Sequence, residues 1–402
     1  MARISNTRFH GVPEHIHQSY LSYMDANVAA QKITSKEKIL IELFISEAGV
    51  IRHITPQRKF AIAISLVSLR NYIGDYLTCT TPEVYISIER YRASSGHSES
   101  YQKITLSTYK RFLIWLHESE YNTALNPTKI KNLSLKRKAT FKTADDILTP
   151  QELKVLYEAT RTLRDRALFE VLYESMGRVG EVAMLTWGQV TFHDTYTTIT
   201  LESKTDYPRK VPLYTSQLIL KRWREYYPVD ITPDMYVFQK GGSEGKSPLT
   251  YHGVRRMLIN ACKSAGITRK VTLHIFRHTR ITDLMRMGIP EQTIKMLAWG
   301  TVTTEMLRVY AHLTPTDAEN DLNKWMGIIP KETKPAFADI ATPVQCTGCG
   351  VINPKSNRFC GECGIALTKE GKEKHEQLLR LLQDDTIHEE LTQLLLSKMG
   401  SE

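Results

Sequence analysis

Residues 128–142, TKIKNLSLKRKATFK, carry Lys129, Lys131, Lys136, Arg137, Lys138 and Lys142 and no acidic residue. A stretch this cationic cannot bury a core, because each charge would have to leave water without a partner. It therefore divides the 402-residue chain into parts that must each close a core of their own, and the chain is long enough for two or three. The formal charge is +10, and clustered Lys and Arg gain free energy by releasing counterions from a phosphate backbone. An acidic membrane surface or RNA would satisfy charge alone equally well. Residues 129–146 read as a basic linker whose six cations contact phosphate; the blander reading is a solvated tether.

Before the linker, TSKEKILIELFISEAG, PQRKFAIAISLVSLRNYIGDYL and LSTYKRFLIWLHESE repeat apolar residues at three-to-four spacing. The spacing predicts an all-α domain over 1–128. No run of eighteen apolar residues occurs and the first residues contain no apolar signal region, so neither a membrane span nor secretion is expected. The expected location is the cytoplasm, on the nucleoid if the polyanion is DNA.

A second module spans 147–328. Thr149, Pro150 and Glu152 form a capping-box pattern, and helical patterns follow through QELKVLYEAT and LRDRALFEVLYESM. Residues 195–213 change to β-branched alternation interrupted by 204–208 (KTDYP), which predicts a hairpin with a polar turn. Helical periodicity returns from about residue 251 to 325. The fold class expected is mainly α with a small antiparallel β-sheet.

The chemistry is concentrated in this module. In LHIFRHTRITDLM, Thr272 is a candidate cap for a helix on which His274, Arg277 and His278 fall at i, i+3 and i+4, on one flank. A lone HxxR is usually a satisfied core histidine and an ion-paired arginine. Arg178 and Glu181 in SMGRVGEVAMLTW, Lys204 at the hairpin turn and Tyr310 in LRVYAHL change that balance. Two arginines, a lysine, a histidine and a tyrosine suit attack of a phenolate on a phosphodiester. Guanidinium forks hold nonbridging oxygens and stabilise charge that grows in the transition state. Tyrosine needs cationic neighbours or a base to act near neutral pH, and an ammonium can protonate the departing alkoxide. No metal is required for that step.

With these residues in order, the chain over roughly 10–325 resembles the tyrosine recombinase family, the phage-type integrases. GRVGEVAMLTW is similar to the family's G-x-R-x-x-E-x-x-x-L-x-W segment through Arg178, Glu181, Leu185 and Trp187, except that Gly177 directly precedes the arginine. Lys204-Thr205 resembles the hairpin lysine, and His274, Arg277 and His278 the H-x-x-R-H box. Leu297-Ala298-Trp299-Gly300 stands where the family has L-G-H or L-G-W, and Tyr310 follows at the nucleophile's place. The resemblance implies a helical core-binding domain joined to an α+β catalytic domain, together a C-shaped clamp on duplex DNA. It implies a site-specific recombinase or integrase working through a 3′-phosphotyrosyl intermediate, by four protomers on recombination sites, without ATP. Arg178 and Arg277 would clamp the scissile phosphate, with His274 as proton acceptor or phosphate donor and Lys204 as general acid, or Lys210 if the register differs. Trp299 would offer its indole N–H to a nonbridging oxygen. Glu181 would orient an arginine or ring nitrogen, and His278 would make a supporting hydrogen bond. The rival readings are type IB topoisomerase-like cleavage and religation, and a noncatalytic DNA-binding protein on the same fold.

The tail adds a separate element. Cys346, Cys349, Cys360 and Cys363 form two CxxCG knuckles within 343–368, the pattern of a small ribbon with a structural Zn²⁺, since four thiolates satisfy tetrahedral coordination. A redox or disulfide pair, or iron, is the alternative. Cys79 and Cys262 lie in apolar segments and read as core. Residues 370–402, with leucines at 378, 381, 382, 391, 394 and 395, read as an amphipathic helix that contacts another protomer or packs on the ribbon.

Overall fold

Caps written into the sequence start the N-terminal helices. The computed structural model describes residues 13–133, 147–202, 208–309, 326, 343–354 and 357–382. After α1 (Pro13–Ala29), α2 (Ser35–Arg52) opens with a capping box: Thr34 Oγ1 accepts from Glu37 N at 3.1 Å, and Glu37 Oε2 accepts from Thr34 N at 2.8 Å. Thr55 caps α3 (Pro56–Arg70), whose first residue is proline; α4 (Thr81–Ser94) and α5 (Glu99–Glu118) follow. Their apolar faces close around Met24, Ile41, Leu66, Tyr76, Phe112 and Leu113, all essentially buried.

Glu37 lies in this core, fully buried. It survives there because its Oε1 accepts from Arg70 Nε at 2.5 Å and from Tyr76 N at 3.1 Å, so its charge is paired. The expected boundary at residue 128 is overrun by a short helix, α6 (Pro127–Lys131), capped by Asn126. Ile130 is fully buried against the helical unit and Lys110 Nζ donates to the Leu133 carbonyl at 3.2 Å, so Lys129 and Lys131 belong to the surface of that unit. Lys136, Arg137, Lys138 and Lys142 lie outside the described residues.

The chain divides into two compact units, His10–Thr140 and the remainder. In the second, α7 (Pro150–Glu158) begins with the expected capping box of Thr149 and Glu152, and Glu152 is also held by Arg269 at 2.7 Å. The central helix is α8 (Leu163–Ser175), with Leu168, Phe169, Val171 and Leu172 buried. After the short α9 (Val179–Ala183), strands β1 (Val190–Phe192), β2 (Thr197–Leu201) and β3 (Arg209–Leu213) form an antiparallel sheet in that order. Leu201 pairs with Arg209 at the mouth of the expected hairpin, whose turn, including Lys204, lies outside the described residues. Then come α10 (Gln217–Glu225), α11 (Tyr251–Ser264), α12 (Ile275–Arg286) and α13 (Glu291–Trp299).

α8 is packed by α12 on one side and α10 on another, and Phe169 stacks on Phe276 at 5.5 Å. The Glu174 carboxylate receives the backbone N–H groups of Tyr214, Thr215 and Ser216 at 2.8–3.0 Å, capping the approach to α10 as an anion at a helix N-terminus. Leu148 N donates to Thr279 Oγ1 at 2.9 Å, tying the start of the unit to α12. α12 itself begins later than the expected cap at Thr272. Residue 274 holds the cap position and the Thr272 carbonyl closes the preceding turn by accepting from Ile275 N at 3.0 Å.

Strands β4 (Pro343–Gln345) and β5 (Ile352–Pro354) pair antiparallel in the ribbon, followed by α14 (Lys369–Leu382). The ribbon rests on α10. Arg222 Nη2 donates to the Gly361 carbonyl at 2.7 Å, and a Cβ at Gly361 would lie 2.9 Å from Leu218 Cδ1, so the second knuckle comes close only as glycine. On α14, Leu378 is exposed, and Leu391, Leu394 and Leu395 lie outside the described residues.

Asp283 on α12 is buried and accepts from Tyr173 Oη at 2.7 Å. Burial pushes its carboxyl up to about 6, against the Tyr173 hydrogen bond and the charges of Arg280 and Arg286. A folded-state pKa above the unfolded value means the folded state holds the proton more tightly. Its contribution to stability is therefore fully present at acid pH and falls by roughly 3 kcal/mol as pH rises from about 4 through 6. We expect Asp283→Asn, which still accepts from Tyr173, to flatten that slope and raise stability at pH 7, as read by urea unfolding across pH.

Candidate active site

Arg277 occupies the centre of the catalytic unit's motif segments. It is 3 % exposed, and its Nη1 donates to the Met176 carbonyl while Nη2 donates to the Ala298 carbonyl at 2.8 Å. Its guanidinium carbon sits 4.8 Å from the Trp299 ring centroid. One side chain thus joins α12, the α8–α9 turn and the end of α13. Trp299 is buried with Met176, Ile281, Leu284, Ile294 and Ala298, and Gly300, at φ 75°, ends α13 directly after it.

The turn carrying Arg178 is unusual. Met176 is in the left-handed region at φ 52°, a conformation that suits glycine and costs other residues about 1–2 kcal/mol. Its buried side chain and its bond to Arg277 hold it there. Gly177 is needed for another reason: a Cβ would stand 2.5 Å from Val182 Cγ2 and 3.1 Å from Leu201 Cδ1. The glycine displaced by one position from the family spacing is therefore a close-approach glycine, and methionine fills the left-handed site.

Arg178 caps α9, donating from Nη1 to Glu181 Oε1 at 2.8 Å and from its backbone N to Oε2 at 2.8 Å. Its side chain is 38 % exposed, whereas that of Glu181 is 2 %. A second arginine shares the same carboxylate: Arg209 Nη2 donates to Glu181 Oε2 at 2.6 Å. Burial works to raise the Glu181 carboxyl, but the Arg209 charge and the hydrogen bonds of both arginines outweigh it and hold it below the ordinary value.

His274 is exposed at the start of α12, with the His278 ring edge-on to it at 4.5 Å. Arg178 and His274 thus reach the surface, while Arg277 and Trp299 are buried. Lys210 is exposed on β3 opposite Thr200. Lys204 and Tyr310 lie outside the described residues. Arg209 was not singled out from the sequence. Its signal was parity: it shares the inward face of β3 with Val211 and Leu213, where a cation demands a buried partner.

The four ribbon cysteines have their sulfurs within 4.8 Å of one another. Cys346 and Cys363 Sγ are 3.5 Å apart, and Cys349 and Cys360 Sγ 3.6 Å. Tetrahedral Zn–S bonds of about 2.3 Å require sulfurs roughly 3.8 Å apart, whereas a disulfide requires about 2.05 Å. The set can hold a metal ion, and its sulfurs stand too far apart for a disulfide. Asn353 Nδ2 and Gly348 N each point at a ligand sulfur at 3.4 Å, on Cys360 and Cys346.

Residues 146–317 match the phage integrase family. Transposase A of transposon Tn554 from Staphylococcus aureus is 27% identical over 235 residues, 54% of this chain and 60% of that protein. Tyrosine recombinase XerC of Listeria welshimeri is 26% identical over 283 residues, 62% of this chain and 90% of that one. Over residues 146–317 the chain is thus similar to the phage integrases, the tyrosine recombinase family. The chain spans about 60% of the length of the Tn554 transposases it matches. In fold it is similar to the Tn1549 transposon integrase in complex with a circular intermediate DNA, with a TM-score of 0.56 at 14% identity over 71% of this chain and 99% of that one. It is likewise similar to a lambda integrase dimer bound to a COC' core site, with a TM-score of 0.54 at 16% identity over 69% and 77%. Among the described residues, no helix is long and apolar enough to cross a membrane.

A lysine at 277 could not reach both the Met176 and Ala298 carbonyls or stack on Trp299. We expect Arg277→Lys to lower unfolding free energy by about 1–3 kcal/mol, the scale of a lost charge-assisted hydrogen bond, measured by urea denaturation.

Proposed function

We propose that the chain is a site-specific DNA recombinase that cleaves and rejoins strands through Tyr310. The observation that supports this best is that Arg277, stacked on Trp299, binds the turn that leads into Arg178, which is held by Glu181, while His274 starts the same helix as Arg277. This set of cationic and N–H donors suits a tetrahedral anion. In the proposed step, Tyr310 Oη bonds to phosphorus and the bond to the 5′ oxygen breaks. His274 takes the phenolic proton, and Lys204 gives a proton to the departing 5′ oxygen. Arg178 is the first phosphate contact, Arg277 and the Trp299 N–H brace the growing charge, and Glu181 and His278 hold their neighbours. Attack by a 5′-hydroxyl of a second duplex reverses the step, so ATP is not consumed.

Duplex DNA is the proposed partner, with Lys129, Lys131, Lys136, Arg137, Lys138 and Lys142 on its phosphates, and four protomers on paired sites. The helical unit through residue 128, the linker 129–146 and the unit 147–328 correspond in this reading to core binding, tether and catalysis. The sulfur geometry supports Zn²⁺ at Cys346, Cys349, Cys360 and Cys363, where it would staple a ribbon too small to hold together by its own core.

Trapping tests the central step. Wild type and Tyr310→Phe are expressed in cells carrying candidate target DNA, denatured rapidly, and the DNA-linked peptide is mapped. An adduct on the VYAHL peptide, absent from the Phe variant, is expected. DNA binding without any adduct would favour the noncatalytic reading, and supercoil relaxation by a monomer without strand exchange would favour the topoisomerase reading. For the ribbon, elemental analysis is expected to give one zinc per chain, lost in Cys360→Ser along with protease resistance of residues 343–368.

A further inference from the structure

Two buried arginines reach the last turn of α13 from opposite sides, and only one of them lies in a recognised motif. Arg277 binds the carbonyl of Ala298. Arg209, from β3, binds the adjacent carbonyl of Leu297 through Nε at 2.9 Å. The other end of Arg209 holds Glu181 at 2.6 Å, and Glu181 holds Arg178. Arg209 is 4 % exposed and sits on the buried side of the strand that returns from the hairpin, opposite Leu201.

We propose that Arg209 is a positioning residue for the recombinase site, fixing Arg178 through the shared Glu181 carboxylate and Trp299 through the Leu297 carbonyl. Three motif-bearing elements meet on this one guanidinium: α9 with Arg178, the end of α13 with Trp299, and the base of the hairpin that carries Lys204. The argument from energy is direct. A buried carboxylate with one partner, the half-exposed Arg178, would be poorly compensated, whereas two arginines on its two oxygens satisfy it. Because Oε2 takes both Arg209 Nη2 and the Arg178 backbone N, losing Arg209 frees the carboxylate to turn, and the Arg178 side chain turns with it. A planar fork can span Glu181 and the Leu297 carbonyl at once; a lysine ammonium reaches one or the other. The sheet face also explains why no other inward position of β3 is polar: Val211 and Leu213 bury the same face in the core.

The activity arm of the test rests on the recombinase reading, and a second arm does not. Arg209→Gln and Arg209→Lys are compared with wild type and with Glu181→Gln in the full chain, using the DNA sequence recovered from the trapped Tyr310 adduct. Arg209→Gln is expected to bind that DNA with unchanged Kd and to form covalent complex about 10- to 100-fold more slowly, the scale of one charged hydrogen bond. Arg209→Lys should recover part of the rate. Adding Glu181→Gln to Arg209→Gln should cost little more, because both act through one carboxylate. Independently, hydrogen exchange should quicken in residues 177–184 and 294–300 of Arg209→Gln, with 163–173 unchanged. Wild-type cleavage rates in Arg209→Gln, or losses that add with Glu181→Gln, would overturn the proposal. So would exchange that quickens across the whole catalytic unit, or in neither segment. If wild type forms no adduct, the recombinase reading fails and the exchange pattern alone still decides where Arg209 acts. If Arg209→Gln does not fold, Arg209→Lys carries the same comparison.

Discussion

The bond from Arg277 to the Met176 carbonyl is the contact on which the catalytic unit's organisation depends. It ties the middle of α12 to the turn that presents Arg178, while the neighbouring bond to Ala298 ties the same helix to the segment that ends in Trp299. Backbone carbonyls are stringent partners. A side chain that binds them fixes main chain, so the position of every residue on those turns follows. The strained φ of Met176 belongs to this arrangement, since a left-handed non-glycine residue persists only where its surroundings over-determine it. Here its buried side chain and its bound carbonyl do so together.

Around that bond the unit keeps an uncommon number of charges inside. Glu181 with Arg209, Glu174 at the start of α10, and Asp283 under Tyr173 are each buried. Glu181 and Glu174 join elements distant in sequence: Glu181 reaches the hairpin strand, and Glu174 links α8 to α10 over some forty residues. Isolated buried carboxylates would be costly, and hydrogen bonds directed at both oxygens make Glu181 and Glu174 tolerable. Cations held still need anions behind them, as Glu181 stands behind Arg178 and Arg209. The ribbon adds a further constraint at α10, where its second knuckle packs against Leu218 and Arg222.

Much of this was legible in the chain. Thr149 and Glu152 announced the start of the catalytic unit because a capping box is a local contract between residues three apart. The hairpin was visible in β-branched alternation on either side of a polar turn, and the four cysteines in their spacing. The start of α12 was misjudged by two residues, at Thr272, because the turn there closes on a backbone carbonyl, which no side chain advertises. Lys129 and Lys131 read as linker, since charge count is local whereas the burial of Ile130 that folds them into α6 is not. Arg209 and Glu37 were passed over for a similar reason: a charged residue looks solvent-facing until its partner, 28 or 33 positions away, is known.

Local order, then, was largely determined by the sequence itself: most of the helix and strand segments, the starts that carry a side-chain cap, and the ordered set of arginine, lysine, histidine, tryptophan and tyrosine the chain carries. These follow from spacing and capping, interactions a few residues long. What only the tertiary structure decided is which arginine does what. Arg178 lies partly exposed on the Glu181 carboxylate, Arg277 lies buried against two carbonyls, and Arg209 holds the same carboxylate as Arg178. The role of a guanidinium depends on whether water, a carboxylate or a peptide carbonyl takes its N–H groups, and those partners arrive from elements brought together only by packing.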